Sequence, residues 1–307
     1  MAGYAFDVSI RSVAAMTAPR VSVLLPCRNG ARTLQLALRS MLAQTFTDFE
    51  LLLLDDGSAD ESTAIALHFN DSRVRVFSDG MHHGLPWRLN EGVSRACGQY
   101  IARMDADDVS FPCRLERQVA YLDRNPQIDL VGCRAVVFRD SADVVGLLPF
   151  APDHVALCAR PWRNIPLPHP TWMGRQQWFR THAYRLPEVR FAEDQELLLR
   201  ARETSRYACL DDVLFGYRQG PFRLRRTLLA RRSLLGAQLR SFADRGQWGH
   251  AVKALSLSIA KMGIDLLAAI PRGEVLFFAR MSEPASAAAI EELYRCLDPD
   301  KQELAPR

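Results

Sequence analysis

The 307 residues are 48% hydrophobic and 24% charged, the composition of a globular chain with enough apolar residues for a full core. That excludes disorder, collagen and coiled coil for the bulk of the chain. Net charge is +4, from 39 Lys and Arg against 35 Asp and Glu, too mild to indicate nucleic acid without a local patch. Seven cysteines form no C-x-x-C pair, which fits a reducing cytosol better than a disulfide framework or a structural zinc site.

Met1 to Arg20 has no basic segment leading into an apolar one, so no secretory signal is expected. Val21 to Pro26 is a compact apolar run closed by Pro and reads as a buried strand. Thr33 to Ala43 carries Leu34, Leu38, Met41 and Leu42 at helical spacing, an amphipathic helix. Phe49 to Leu54 is a second buried strand, ended by Asp55-Asp56-Gly57-Ser58, which is turn chemistry. Val74 to Phe77 is a short third strand. Leu85, Leu89 and Val93 mark another helix face, and Tyr100 to Met104 a fourth strand that runs into acids. A helix then begins near Pro112 and passes through Leu115, Val119 and Leu122. Strand–helix alternation of this kind implies a mostly parallel sheet covered on both faces. Ligands gather at the carboxyl ends of such strands, which is where Arg28-Asn29, Asp55-Asp56 and Asp105-Ala106-Asp107-Asp108 fall.

After residue 220 the pattern changes. Seven arginines between Arg223 and Arg245 face one acid, Asp244, and an apolar run from Ala254 to Ile270 follows. That run carries Lys261 and Asp265 and is short for a bilayer span. Two readings stand side by side: a solvated helix face followed by a packing helix, or a segment lying on an anionic membrane surface.

Several phosphate-binding routes are absent. No two glycines are separated by one residue and no Gly precedes Lys, which excludes the G-x-G-x-x-G fingerprint and the Walker A loop. H-E-x-x-H and G-x-S-x-G are missing too. A nucleotide would then be bound through carboxylates and a divalent metal. Asp105 and Asp107, two apart at a strand end, can turn oxygens toward one hard cation. The same residues also suit a turn or helix cap, and Asp108 or Ser110 is available for the capping. Asp55 and Asp56 suit a turn or a hydrogen bond from a base or ribose. Glu193-Asp194 suits the acidic first turn of a helix, or a catalytic carboxylate held at its start. Trp162, Trp172 and Trp178 suit core packing or stacking on a sugar.

Taken in order, these segments resemble the family 2 glycosyltransferases. The carriers are Val21-Ser-Val-Leu-Leu-Pro-Cys-Arg-Asn-Gly30, Leu54-Asp-Asp-Gly-Ser58, Leu89-Asn-Glu-Gly92 and Gly98 to Asp108. Further along come Arg114-Leu-Glu-Arg-Gln118, His169-Pro-Thr171, Ala192-Glu-Asp194 with Leu197 and Arg200, and Tyr217-Arg218. The likeness is greatest to bacterial, non-processive members that build surface polysaccharide or lipopolysaccharide. It implies an α/β chain of the GT-A fold, with a mostly parallel twisted sheet, helices on both faces and a C-terminal helical extension. The expected division is an extension over 1–19, a nucleotide-sugar half over 20–110, an acceptor half over 111–220 and a basic helical extension over 221–307.

The implied activity is inverting transfer of one sugar from a nucleotide-diphosphate sugar, a UDP-sugar by default, to a saccharide or lipid-linked acceptor. Pro26, Arg28, Asn29, Asp55, Asp56 and Asp105 match the nucleotide-sugar contacts, and Asp107 the ligand of a Mn²⁺ or Mg²⁺ ion. Asp194 matches the catalytic base, with Glu193 and His169 on the acceptor side. Arg218 matches a recurrent position without a firm role. The resemblance implies no nucleic acid partner, a cytoplasmic location and, through the basic C-terminal segment, peripheral contact with the inner membrane face. Cys27-Arg28 departs from the usual Val-Tyr before Asn, so a Tyr stacked on the base is not expected. No Arg-Trp pair occurs, so the Q-x-x-R-W motif of processive synthases is missing. A non-catalytic nucleotide-sugar-binding module and a sugar nucleotidyltransferase are the competing classes.

Overall fold

The computed structural model describes residues 18–186, 191–270 and 283–298. Most of the expected extension over 1–19 and parts of 221–307 therefore lie outside the described residues.

Nine strands form one sheet: β1 (Val21–Cys27), β2 (Phe49–Asp55), β3 (Val74–Phe77), β4 (Tyr100–Arg103), β5 (Val109–Ser110), β6 (Leu130–Phe138), β7 (Val144–Leu147), β8 (Met173–Arg175) and β9 (Tyr207–Arg218). Their order is β3-β2-β1-β4-β8-β6-β9-β5, with β7 alongside β6. Pairing is parallel from β3 to β4 and again between β6 and β9. Strand β8 lies antiparallel to both β4 and β6, and β5 and β7 are antiparallel to β9 and β6. Six strands thus run one way and three are reversed. The expected halves 20–110 and 111–220 share this one sheet, joined where β4 meets β8 and where β5 meets β9.

Burial on both faces follows from the period of two along a strand. Val21, Val23 and Leu25 of β1, with Leu51 and Leu53 of β2, enter one core; Leu24, Leu52 and Leu54 enter the other. The first core is covered by α1 (Ala31–Leu42) through Leu34, Ala37, Leu38 and Met41 and by α4 (Arg114–Arg124) through Leu115, Val119 and Leu122, with α2 (Ser62–His68) beside them. The second is covered by α3 (Leu85–Arg95), α6 (Gln176–Thr181) and α7 (Glu193–Ala201). Helix α3 can lie close because its Gly92 has no side chain; a Cβ there would sit 2.6 Å from Leu54 Cδ1 and 2.9 Å from Leu24 Cδ2. A short helix α5 (His154–Cys158) follows β7. Two long helices, α8 (Leu224–Ala243) and α9 (Trp248–Ala268), and a last helix α10 (Ala287–Leu297) complete the described chain. None of the described helices is long and apolar enough to cross a membrane.

Candidate active site

The carboxyl ends of the six co-directional strands set the site. Arg28 and Asn29 follow β1, Asp55 closes β2 and Asp105 to Asp108 follow β4. Arg139 and Asp140 follow β6, and Arg218 closes β9. A cleft of about 330 Å³ opens there, lined by Pro26, Arg28, Asn29, Asp105, Asp107 and Arg218, among others. Sequence reading placed five of these six in the donor site, and the fold brings them to one wall. A larger cavity of about 540 Å³ lies at the opposite ends of β6 and β9, between Tyr121, His154 and Tyr207, and holds none of the expected residues.

Asp105, Asp107 and Asp108 each offer an oxygen, all within 4.8 Å of one another. Asp108 does not cap a helix, the role open to it by composition. Its Oδ1 accepts the Arg218 backbone N–H at 2.8 Å, and its Oδ2 is buried with no partner. Helix α4 has Cys113 at its N-cap, whose side chain makes no capping hydrogen bond. Burial drives the Asp108 pKa well above the usual carboxylate range, with Asp107 and Asp105 adding to it. Asp107 stands at the exposed rim, yet crowding by protein and the charge of Asp105 push it up to about 6. Three oxygen donors held against their own repulsion, one an orphan, fit a hard divalent cation. Arg218 holds this loop from above: its Nε donates to the Asp107 carbonyl at 2.7 Å and Nη1 to Asp140 at 3.2 Å.

Arg103 is the residue that sequence reading missed. It is almost wholly buried, reaches Asp105 with two hydrogen bonds of 2.5 and 2.7 Å, and leaves its Nε without a partner. Its charge acts on Asp107, Asp108, Glu193, Asp194 and His169 alike. One buried guanidinium thus joins the Asp105–Asp108 carboxylates to the second group of acids. The signal lay in an Arg inside an otherwise apolar strand that ends in acids.

That second group lies beside the start of β8, because β8 begins opposite the carboxyl end of β4. Glu193 and Asp194 occupy the first turn of α7, entered through Ala192 in the left-handed region at φ 62°. A non-glycine residue held there stores strain of order ~1–3 kcal/mol, a feature that clusters at functional sites. Gln195 fixes this turn by bonding both the N–H and the carbonyl of Ile165, at 2.9 and 3.1 Å. Burial, then the neighbouring Asp194, push Glu193 up to about 7. Burial raises Asp194 as well, held back by a hydrogen bond from Gln195 Nε2 at 3.2 Å. His169 lies 3.8 Å from Glu193 through Nδ1 and 2.7 Å from the Tyr184 hydroxyl through Nε2. Burial, reinforced by Arg103, depresses its pKa well below the usual value, while burial raises that of Tyr184. With the imidazole neutral and the phenol protonated, the direction of this hydrogen bond is set by which ring nitrogen carries the proton. Glu193, Asp194 and His169 are not on the wall of the strand-end cleft.

Two sequence motifs turn out to hold this arrangement together. Asn90, from Leu89-Asn-Glu-Gly92, bonds both the N–H and the carbonyl of Tyr184 at 2.9 Å. Arg114 and Gln118 are fully buried. Arg114 donates to the Arg103 carbonyl at 2.7 Å and to Gln118, and Gln118 donates to the Thr171 carbonyl at 2.7 Å. The pair ties the end of β4 to the His169–Thr171 turn. Burial lowers the Arg114 pKa to about 10, with its ring contact over Phe215 at 4.9 Å on one side.

Asp55 and Asp56 are interior. Asp55 accepts from the Ser58 N–H and the Ser78 hydroxyl, the latter at 2.7 Å. Asp56 accepts from His83 N, Gly84 N, His82 Nδ1 and Arg88 Nε. Burial opposes its charge, but these donors outweigh burial and hold the carboxyl below its usual range. His82 Nε2 lies 3.1 Å from Arg28 Nη1, so Asp56 orients His82 and His82 orients Arg28. Asn29, at φ 52°, accepts the Ala59 N–H and joins the β1 and β2 loops. Trp172 and Trp178 are core residues whose indole N–H groups donate to Leu167 O and Ser205 Oγ. Trp162 packs against His250 at 4.8 Å, with Lys253 over its ring.

Comparison with known proteins follows the same lines. The profile of Glycosyl transferase family 2 matches residues 22–183. The glycosyltransferase candidate EpsE of Bacillus subtilis (strain 168) is 37% identical over 190 residues, covering 59% of this chain and 66% of EpsE. WfgD of Escherichia coli, a UDP-Glc:alpha-D-GlcNAc-diphosphoundecaprenol beta-1,3-glucosyltransferase, is 32% identical over 105 residues, 34% of this chain and 42% of its own length. The chain thus spans at most about two thirds of these relatives. Among solved structures, residues 1–349 of TarS from S. aureus superpose with a TM-score of 0.58 at 18% identity, covering 94% of this chain and 93% of TarS. The mannosyltransferase PcManGT of Pyrobaculum calidifontis, solved with GDP-Man and Mn²⁺, gives 0.56 at 16% identity, covering 92% and 88%. These likenesses establish the GT-A fold.

Proposed function

Because the chain belongs to glycosyl transferase family 2, we propose that it moves one sugar from a nucleotide-diphosphate sugar to a saccharide or lipid-linked acceptor, with inversion. The setting is cell-surface polysaccharide or lipopolysaccharide synthesis, and the donor a UDP-sugar. The observation that carries this reading is the convergence of three carboxylates, one with an orphaned oxygen, beside a strand-end cleft.

In this reading Pro26, Arg28, Asn29 and Asp105 line the donor side of the cleft. Arg28 makes the direct nucleoside contact, and Asp55 and Asp56 shape the loops behind it, Asp56 acting through His82. Asp107, with Asp105 and Asp108, would hold Mn²⁺ or Mg²⁺, which supplies charge neutralisation for the departing diphosphate. Arg218 keeps the acid loop in place by gripping the Asp107 carbonyl. On the acceptor side Asp194 takes the proton from the attacking hydroxyl; its raised pKa moves it toward working pH, where a general base is most effective. Glu193 and His169 orient the acceptor, and Arg103 keeps both acid groups compatible in one small volume. Attack from the face opposite the diphosphate inverts the anomeric carbon, as in a single-displacement hydrolase.

Calorimetry of UDP, GDP, dTDP and CMP, each with and without Mn²⁺, on wild type and Asp107→Ala tests the donor site. One nucleotide should bind in a Mn²⁺-dependent manner and lose that dependence in the variant. Equal affinity in all four arms would remove the metal site from the proposal.

A further inference from the structure

Helix α9 is built inside out. The residues it turns toward the protein are Ala254, Asp265 and Ala268. Asp265 is buried against α8 and takes two hydrogen bonds from Arg231, at 2.5 and 2.7 Å. The opposite side carries Trp248, Val252, Leu255, Ile259, Met262 and Leu266, which are 44–66% exposed, and Ile270 just beyond the helix continues the row. Spacings of three and four place these side chains on one stripe of an α-helix. Nothing in the described chain covers it. A contiguous apolar stripe of this size on a monomer marks an interaction surface.

The neighbouring helix identifies what fits there. Helix α8 contains five arginines and no acid. Arg225, Arg226, Arg232 and Arg240 are exposed, as is Arg223 at its cap. Across residues 223–270, nine Lys and Arg face two Asp, a net charge of +7. The whole chain carries only +4, so the rest totals −3 and the positive charge is concentrated in this hairpin. An apolar stripe beside an arginine-rich one is the pattern of an interfacial helix, which buries its apolar face about 5–10 Å into an anionic bilayer surface. A second copy of the chain is a poorer occupant, because it would bring two segments of +7 together.

We propose that the α8–α9 hairpin lies flat on an anionic lipid bilayer, with the Trp248–Leu266 stripe inserted and the α8 arginines against the headgroups. The hairpin is fastened to the helix that carries Asp194. Arg245 bonds Glu203 at 2.9 Å and reaches the Arg200 carbonyl, Arg202 bonds Gln247 at 2.8 Å, and Gln238 bonds the Pro161 carbonyl at 2.9 Å. Resting on the transferase reading above, this fixes the acceptor side of the site at the membrane surface and favours a lipid-linked acceptor.

The test uses the full chain and vesicles of phosphatidylcholine with and without phosphatidylglycerol. Sedimentation should show binding that needs the anionic lipid and weakens with salt, and Trp248 emission should shift to the blue. Leu255→Glu with Ile259→Glu, at exposed positions, should weaken vesicle binding by about tenfold or more, as should Arg225→Glu with Arg232→Glu, at roughly 1 kcal/mol per arginine. Nucleotide binding by both variants should stay at the wild-type level. No wild-type binding, or undiminished binding by the apolar variant, would overturn the proposal. So would a wild-type dimer in light scattering that the apolar variant splits, since the stripe would then be a subunit interface. Vesicle binding needs no donor, so its loss counts against the docking surface alone, and missing nucleotide binding counts against the transferase reading alone.

Discussion

Glu193 and Asp194 are adjacent in sequence, yet their surroundings differ. Gln195 donates a hydrogen bond to Asp194, whereas Glu193 meets a neutral His169 that offers no countercharge. Asp194 is therefore the acid better able to carry charge, as a base must before it accepts a proton. Asp194→Asn should retain nucleotide binding and lower the transfer rate by about 10²–10⁴-fold, the usual worth of a positioned base. Steady-state and single-turnover rates on the same preparation would show this, and an unchanged rate would take Asp194 out of the mechanism. The two acids were legible in sequence as a helix first turn. What favours a catalytic role, the strained Ala192 and the grip of Gln195 on Ile165, involves residues about 30 apart and has no local signature.

Among the elements, the first half of the chain folds as its pattern indicates. Strands β1 to β4 and helices α1, α3 and α4 fall within about three residues of the expected bounds. Each is long and periodic enough for local propensity and burial to agree. The later strands were less legible. In β9 the apolar run is broken by exposed Asp211 and Asp212, and β5 and β8 have two and three residues. Such strands exist only because β4, β6 and β9 offer them edges to pair with. The close seat of α3 on the sheet is a second tertiary effect. Gly92→Val would drive a side chain into Leu24 and Leu54 and should cost about 1–3 kcal/mol, read as a lower urea midpoint at unchanged slope. A variant as stable as wild type would show that α3 can shift outward.

At the scale of the whole molecule, the site is a store of unfavourable charge. Asp107, Asp108, Glu193 and Asp194 all have raised pKa values in the fold. A carboxyl whose folded pKa is raised binds its proton more tightly in the native state. Its contribution to stability is therefore complete below the unfolded value and is lost as pH rises through the folded one. For Glu193 that window runs from its ordinary 4.5 to about 7. Glu193→Gln should raise the melting temperature at pH 8 by about 2–4 °C, corresponding to ~1 kcal/mol, and leave it nearly unchanged at pH 4. Thermal melts of the two proteins across that range check it, and parallel curves would deny Glu193 its raised pKa. Stability surrendered at one locus in this way is expected where a fold holds charge ready for a ligand.

By itself the sequence determined the alternation of strand and helix, the two-sided burial of the parallel strands and the placing of acids at strand ends. Those are properties of period, composition and turn chemistry, all local. Only the tertiary structure decided that Asp108 holds Arg218 with one oxygen and leaves the other unpartnered and does not cap a helix, that Arg103 links two groups of acids, and that Asn90, Arg114 and Gln118 act as clamps. It also decided that α9 turns its apolar side away from the core. An apolar helical period says that one face seeks burial. Which face finds protein, and which is left exposed, depends on pairings such as Arg231 with Asp265 that no local pattern encodes.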